Sequence, residues 1–405
     1  MKLLVVVPSL GAVYGGPSKS VVELAQALGR AGVSVDLVST NANGSDVINE
    51  PIKTWIQKDG YRLQCFPCKV IGDYKLSASI VRWLLLHSKN YDLVQANAVF
   101  SLTNLPAYVA CQRHQIPYVV APRGMLEPWA LSYKAAKKKL YYRLFEQPAL
   151  QRASAIQMLS STEAARIQPL GLNTQCIISP NGIHRRDFET LPSSDIFYQQ
   201  FPETRDKQNI LFLGRIDPKK GLDLLATALG KLKPQFPEAH LIVAGPDNVG
   251  FLPAVKQYFA DSGCLDSVTF TGILTGELKL SAFAAAHYYV APSYSEGFSM
   301  SVLEGMAAGL PCVITTGCNF PEAAAASAAS EIEINADALT DALYSFLSAP
   351  GEAAAMGQRA RHFIFENYTW DQIAARLVDD YQRILNQPPL SAHGSIYRYA
   401  SHSDL

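Results

Sequence analysis

NILFLGRIDPKKGLDLLATALGKLK, residues 209–233, sets the fold class. NILFL is a short continuous apolar run, the pattern of a strand buried on both faces, and it runs straight into Gly214. A turn containing Pro218 and Gly221 follows. LDLLATALGKLK then spaces its leucines and alanines at helical intervals. A buried strand, a glycine turn at its carboxyl end and an amphipathic helix make one unit of a parallel sheet covered by helices.

The same unit recurs on both sides. Downstream, HLIVAG (240–245), SVTFTG (267–272), HYYVAPS (287–293) and PCVIT (311–315) read as strands separated by helical stretches. Upstream, LLVVV (3–7), VSVDLVS (33–39), YRLQCF (61–66), DLVQA (92–96), PYVVA (117–121), SAIQML (154–159) and QCIIS (175–179) do the same. The expected architecture is α/β, with two Rossmann-like domains facing across a cleft. The expected divisions are an N-terminal domain 1–190, a Pro/Ser/Asp/Gln-rich linker 191–207 and a C-terminal domain 208–370. A helix at 371–386 either packs outside the second sheet or crosses to the first domain, and 387–405 forms a loose tail.

Composition supports a globular chain. Its 405 residues are 48% hydrophobic and 17% charged, enough for two full cores and unlike a disordered chain. No apolar run reaches the 18 or so residues that span a bilayer, and MKLLVVVPSL lacks a signal-type cleavage site, so a cytoplasmic location is expected. Seven scattered cysteines do not form a disulfide framework. Cys65 and Cys68 have redox or zinc spacing, but no second pair completes a site, and they read as thiols on or beside a strand. The overall charge of zero divides unevenly. Residues 1–190 carry 21 Lys+Arg against 12 Asp+Glu, a net of +9, and the remainder carries 14 against 23, a net of −9. The first half therefore suits an anionic surface or substrate, or the two halves simply attract each other.

Open α/β sheets bind ligands at the carboxyl ends of their strands, and three candidate groups fall there. In SEGFSMSVLEGMAAGLP (295–311), Glu296 and Glu304 have seven residues between them. A helix starting near Ser299 would turn the amides of Phe298 and Ser299 toward a phosphate, with Gly297 permitting close approach. Glu296 could then reach a sugar hydroxyl and Glu304 a ribose; an ordinary first-turn acid and a solvated helix glutamate fit the spacing equally well. In GRIDPKKGLD (214–223), Arg215 and Lys220 bracket the turn on the same sheet edge, where two fixed cations would neutralise a diphosphate. In GAVYGGPS (11–18), Gly15 and Gly16 precede the first helix without GxGxxG spacing. They serve an anion or form a tight turn. No Asp-x-Asp is present to hold a metal on a diphosphate, which leaves that task to Arg215 and Lys220.

With these residues in view the chain resembles glycosyltransferase family 4, the retaining family with the glycosyltransferase B fold. The resemblance is carried by GGPS (15–18), SPNGI (179–183), LGRIDPKKGLD (213–223), VTFTGIL (268–274) and APSYSEGFSMSVLEGMAAGLPCV (291–313), in order from residue 3 to about 385. It implies metal-independent transfer of a sugar from a nucleotide-sugar donor, with no bound cofactor. Arg215 and Lys220 would hold the diphosphate, Glu296 the donor sugar and Glu304 the ribose. Gly297, Phe298 and Ser299 would offer amides, Gly16 would close on the phosphates from the first domain, and Ile273 would lie beside the base.

Two departures stand out. EGFS replaces the family's frequent EGFG. Where many members have His-Gly after the strand PYVVA, this chain has Arg123-Gly124 in APRGMLEPWAL, a variant similar to bacterial enzymes of surface-polysaccharide synthesis. Arg123 would bind an acceptor's phosphate or carboxylate, or pair with Glu127 four residues on. Beyond it, SYKAAKKKLYYRLF (132–145) mixes Lys134, Lys137, Lys138, Lys139 and Arg143 with Tyr and Leu, as in a segment lying on anionic lipid or a solvated helix face. The expected acceptor is a saccharide or lipid-linked saccharide. A nucleotide-sugar epimerase of the same fold and a non-catalytic sugar-binding protein are the alternatives; no nucleic-acid module is recognisable.

Overall fold

A computed structural model describes residues 1–14, 16–71, 74–127 and 139–387. The chain divides into two compact units, Met1–Asn181 together with the segment from Trp370 onward, and Gly182–Thr369.

The first unit is built on an eight-stranded sheet. Its order is Cys176–Ile178, Ala155–Met158, Tyr118–Ala121, Leu93–Asn97, Lys2–Ser9, Ser34–Thr40, Tyr61–Phe66 and Trp55–Gln57, parallel except for the last pair. The central strand explains its own composition. Leu4 and Val6 enter one core, while Leu3, Val5 and Val7 enter the other, so both faces of the strand must be apolar. The helix Gly16–Arg30 covers the second of these faces with Val21, Leu24, Ala25 and Leu28. The helix Trp370–Asn386 joins the same core through Trp370, Ile373, Leu377, Tyr381 and Ile384, a helical stripe. Arg30 Nη2 meets Asp371 Oδ1 at 2.7 Å beside it.

The second unit carries a six-stranded, fully parallel sheet. Its order is Val268–Gly272, Ala239–Ala244, Gln208–Leu213, Tyr288–Ala291, Cys312–Thr315 and Ser330–Ile332. The stretch 191–207, expected as a linker, belongs to this unit. It contains the helix Asp195–Gln200, whose fully buried Phe197 donates its N–H to Ser281 Oγ at 2.9 Å. The chain passes between units at Asn181/Gly182 and returns at Thr369/Trp370. A six-residue helix with one fully buried side chain is too short to show periodicity.

Each sheet reverses its winding once. In the first unit the chain builds outward from Lys2–Ser9 and then restarts on its other side at Leu93–Asn97. In the second it does so between Gln208–Leu213 and Tyr288–Ala291. Loops leaving such a pair diverge and open a crevice at the carboxyl ends. Among the described residues no helix is long and apolar enough to cross a membrane.

Candidate active site

At the reversal in the second sheet, two loops are locked together. Asp217 caps the turn Pro218–Lys220 by accepting Lys219 N–H at 3.1 Å. Gly221 follows at φ +69°, so close to the other loop that a Cβ would sit 1.9 Å from the Pro292 carbonyl oxygen. Tyr294 N–H donates to the Lys219 carbonyl at 2.8 Å. This clamp brings Lys220 onto Glu296, forming an ion pair whose side chains are 12% and 10% exposed.

Glu296 is held from several sides. Its N–H donates to the Gly317 carbonyl at 2.8 Å, its carbonyl accepts from the Asn319 amide, and its Oε1 accepts from Ser293 Oγ at 2.9 Å. Gly317 is required here, because a Cβ would lie 2.2 Å from the Ser293 carbonyl oxygen. Arg215 stands exposed on the same loop as Lys220. Burial lowers the Lys219 pKa, with Lys220 and Arg215 adding to the effect and Glu296 and Asp217 opposing it. Three cations and two carboxylates thus crowd one sheet edge, an arrangement that favours a further anion.

Beside this cluster the helix Met300–Ala307 begins. Its N-cap, Ser299, makes no side-chain cap hydrogen bond; its hydroxyl lies 3.2 Å from that of Ser301. The N-terminus of the helix favours negative charge. Phe298 is 9% exposed and packs on Phe320 and Tyr368 with centroids 5.2 and 6.1 Å away, which makes its ring an anchor for the loop. Glu304 pairs with Lys279 at 2.6 Å. Ile273, 64% exposed, follows the strand Val268–Gly272 at one end of the sheet. The structure therefore brings Lys220 and Glu296 into contact, with Arg215 on the same loop and Gly297, Phe298 and Ser299 in the continuation of the Glu296 loop.

Sequence reading missed Lys279, Ser293 and Asn319. Lys279 meets Glu304 from a different helix, and the contact has no local signal. The Ser-x-x-Glu spacing of Ser293 and Glu296 was visible, but Asn319 reaches Glu296 from another loop.

In the first unit Gly16 opens its helix as an exposed residue, beyond the end of the first strand. Arg123 does not pair with Glu127. Its φ is +56°, so the turn at 123–126 is no helix and the i, i+4 geometry never forms. Its Nε and Nη2 donate instead to Asn97 Oδ1 at 3.1 and 2.9 Å, while Glu127 accepts from Arg166 at 3.3 Å. Burial lowers the Arg123 pKa to about 10. Cys65 lies buried on its strand with its thiol raised to about 11, first by burial. Within the basic stretch 132–145, residues 132–138, including Lys134, Lys137 and Lys138, lie outside the described residues. Leu140, Leu144 and Phe145 are exposed.

Residues 15–182 match the family described as Glycosyl transferase 4-like domain, and residues 194–363 that described as Glycosyl transferases group 1. A GDP-mannose-dependent alpha-(1-6)-phosphatidylinositol monomannoside mannosyltransferase of Mycobacterium tuberculosis is 28% identical over 210 residues, covering 49% of this chain and 54% of that protein. The chain thus spans about half the length of that relative. A D-inositol 3-phosphate glycosyltransferase of Mycobacteroides abscessus is 26% identical over 335 residues, 77% of this chain and 72% of the relative. Among solved structures, HepE of Anabaena in complex with UDP superposes with a TM-score of 0.74 at 18% identity, covering 95% of this chain and all of the other.

Proposed function

The chain belongs to the glycosyltransferases of family 4, with the glycosyltransferase B fold, and on that premise we propose that it transfers a hexose, with retention, from a nucleotide diphospho-sugar to a saccharide or lipid-linked saccharide of a surface polysaccharide. The observation that carries this reading is the fixed Lys220–Glu296 pair at the reversal of the second sheet, with Arg215 on the same loop.

In this reading the second unit holds the donor. Arg215 and Lys220 neutralise the diphosphate, and the amides of Gly297, Phe298 and Ser299 at the helix N-terminus add to them. Glu296, immobilised by its backbone and by Ser293, accepts from the hydroxyls of the donor sugar. Glu304 accepts from the ribose, and Ile273 lies against the base. The bond from the anomeric carbon to the diphosphate breaks as the acceptor oxygen bonds to the same face of that carbon. A diphosphate oxygen takes the acceptor proton. Charge develops on the leaving group, so preorganised cations stabilise the transition state more than the ground state, and protein cations take the part a metal would otherwise play.

The acceptor is assigned to the first unit. Relatives whose names specify phosphatidylinositol mannoside or inositol phosphate acceptors support a polar or lipid-linked partner. The basic stretch 132–145, with Leu140, Leu144 and Phe145 exposed, supports a peripheral position on the cytoplasmic face of a membrane.

The test is to incubate purified protein with a panel of nucleotide sugars, with and without a lipid extract, and follow release of nucleoside diphosphate beside Glu296→Ala. Release that depends on one donor, rises with lipid and disappears in the variant is expected. Absence of turnover with every donor, or full turnover in Glu296→Ala, would overturn the reading.

A further inference from the structure

We propose that the cavity at the reversal of the first sheet recognises an anionic saccharide by placing the saccharide's phosphate or carboxylate on Arg123. The inference rests on the transferase reading and deepens it by naming the chemical class of the molecule held in the first unit.

The cavity, about 260 Å³, lies where the first strand and Leu93–Asn97 end. Tyr14, Lys75, Asn97, Phe100, Arg123 and Met125 are among its lining residues. Arg123 is the unusual member. A guanidinium has five N–H donors, and among the described residues its hydrogen bonds both go to one neutral oxygen, Asn97 Oδ1. Among the described residues no carboxylate forms an ion pair with it. Glu127 is taken by Arg166, and Glu163 spends one oxygen on Gly124 N–H at 2.9 Å and the other on Leu159 N–H at 2.6 Å. The Glu163 carboxylate attracts Arg123 without hydrogen-bonding it, so the remaining guanidinium donors are open to an anion that would complete a costly buried charge. Burial also lowers the proton affinity of Arg123, the direction that an arriving anion would reverse. Lys75 adds a second cation to the lining, its ammonium 4.1 Å from the centroid of the Tyr14 ring.

The walls are built to hold a shape. Ala98, Phe100 and Arg123 have φ values of +68°, +57° and +56°, a conformation that residues other than glycine adopt only when their surroundings impose it. The Asn104 amide holds the Ala98 carbonyl at 2.7 Å, and two buried carboxylates hold the other two turns. Glu146 accepts the Phe100 N–H at 2.7 Å, and Glu163 accepts that of Gly124. Phe100 and Met125 supply apolar surface suited to the C–H face of a pyranose, so cation and ring surface meet in one concavity.

The experiment titrates the full-length protein with α-glucose 1-phosphate, glucuronate and neutral methyl glucoside by calorimetry. At least one anionic sugar should bind at least tenfold more tightly than methyl glucoside. Preference for the 1-phosphate identifies a phosphorylated saccharide, and preference for glucuronate an acidic one. Arg123→Gln should remove the preference. Arg123→Lys, which keeps the charge without the planar fork, should retain part of it, and melting curves verify that both variants fold. Equal binding of all three sugars, or a preference that survives Arg123→Gln, overturns the inference. Titration of wild-type protein with UDP and GDP reads the second unit separately. Failure of both nucleotides to bind counts against the transferase reading, whereas nucleotide binding without anion preference overturns the present inference alone.

Discussion

Replacing Glu296 by glutamine is expected to separate donor binding from transfer. The carboxylate accepts from Lys220 and from Ser293 Oγ, and both members of its ion pair are mostly buried. Glutamine keeps the volume and one acceptor oxygen but removes the charge, leaving Lys220 beside Arg215 and Lys219. Loss of a charge-assisted hydrogen bond in such a setting costs about 1–3 kcal/mol. For a domain of this size each kcal/mol lowers Tm by roughly 2–4 °C. The sign reverses for a bound diphosphate. At an effective dielectric of about 40 and a separation of about 6 Å, two unit charges repel by ~1.4 kcal/mol, a factor of about ten in affinity. The free variant should therefore melt earlier yet bind UDP or GDP several-fold more tightly by calorimetry. Turnover of the nucleotide sugar should meanwhile fall by about 100-fold or more, because the charge-assisted hydroxyl contacts that orient the sugar are weakened where they matter most. Weaker nucleotide binding combined with undiminished turnover would refute the assignment of Glu296 to the sugar and of the cations to the diphosphate.

Glu304→Ala should weaken UDP or GDP by about 10–100-fold, the loss of charge-assisted contacts to a ribose, and leave inorganic diphosphate binding unchanged. Equal weakening of both ligands, read by calorimetry, would place Glu304 outside the ribose site. Glu146→Gln should flatten the pH dependence of stability. Burial raises the Glu146 carboxyl from 4.5 to about 7; its Oε1 accepts Phe100 N–H, and among the described residues its Oε2 has no hydrogen-bond partner. Below about 4.5 both folded and unfolded states hold the proton. Between there and about 7 the folded state keeps a proton that the unfolded chain loses, so stability falls as pH rises, by up to about 1.4 kcal/mol per pH unit for this group. Denaturant melts from pH 5 to 8 should show a smaller slope in the variant, and an unchanged slope would refute the shift.

The sheets were legible because each interior strand is buried on both faces. LLVVV, NILFL and HLIVA leave no alternation to misread, and all became interior strands. Trp55–Gln57 escaped because an antiparallel edge of three residues has too little length for a pattern. The helix in the supposed linker escaped because its burial rests chiefly on Phe197, which is completed by Ser281 from a distant helix.

The two candidate sites differ in legibility for a physical reason. Lys220 and Glu296 sit in loops whose glycines and proline announce turns, and the position of both strands at the reversal of the sheet follows from winding, so their meeting could be anticipated. Arg123 shows the opposite case. Its sequence neighbour Glu127 offered a partner that a helical backbone would have delivered, yet the left-handed turn sends the side chain to Asn97 on the adjoining strand. That turn is held by Glu163, forty residues on, through Gly124 N–H. A charge whose partner is decided by a distant carboxylate gripping the backbone cannot be read from local spacing. The same grip makes Arg123 a preformed donor, since the ordering that usually opposes anion binding is complete before any ligand arrives.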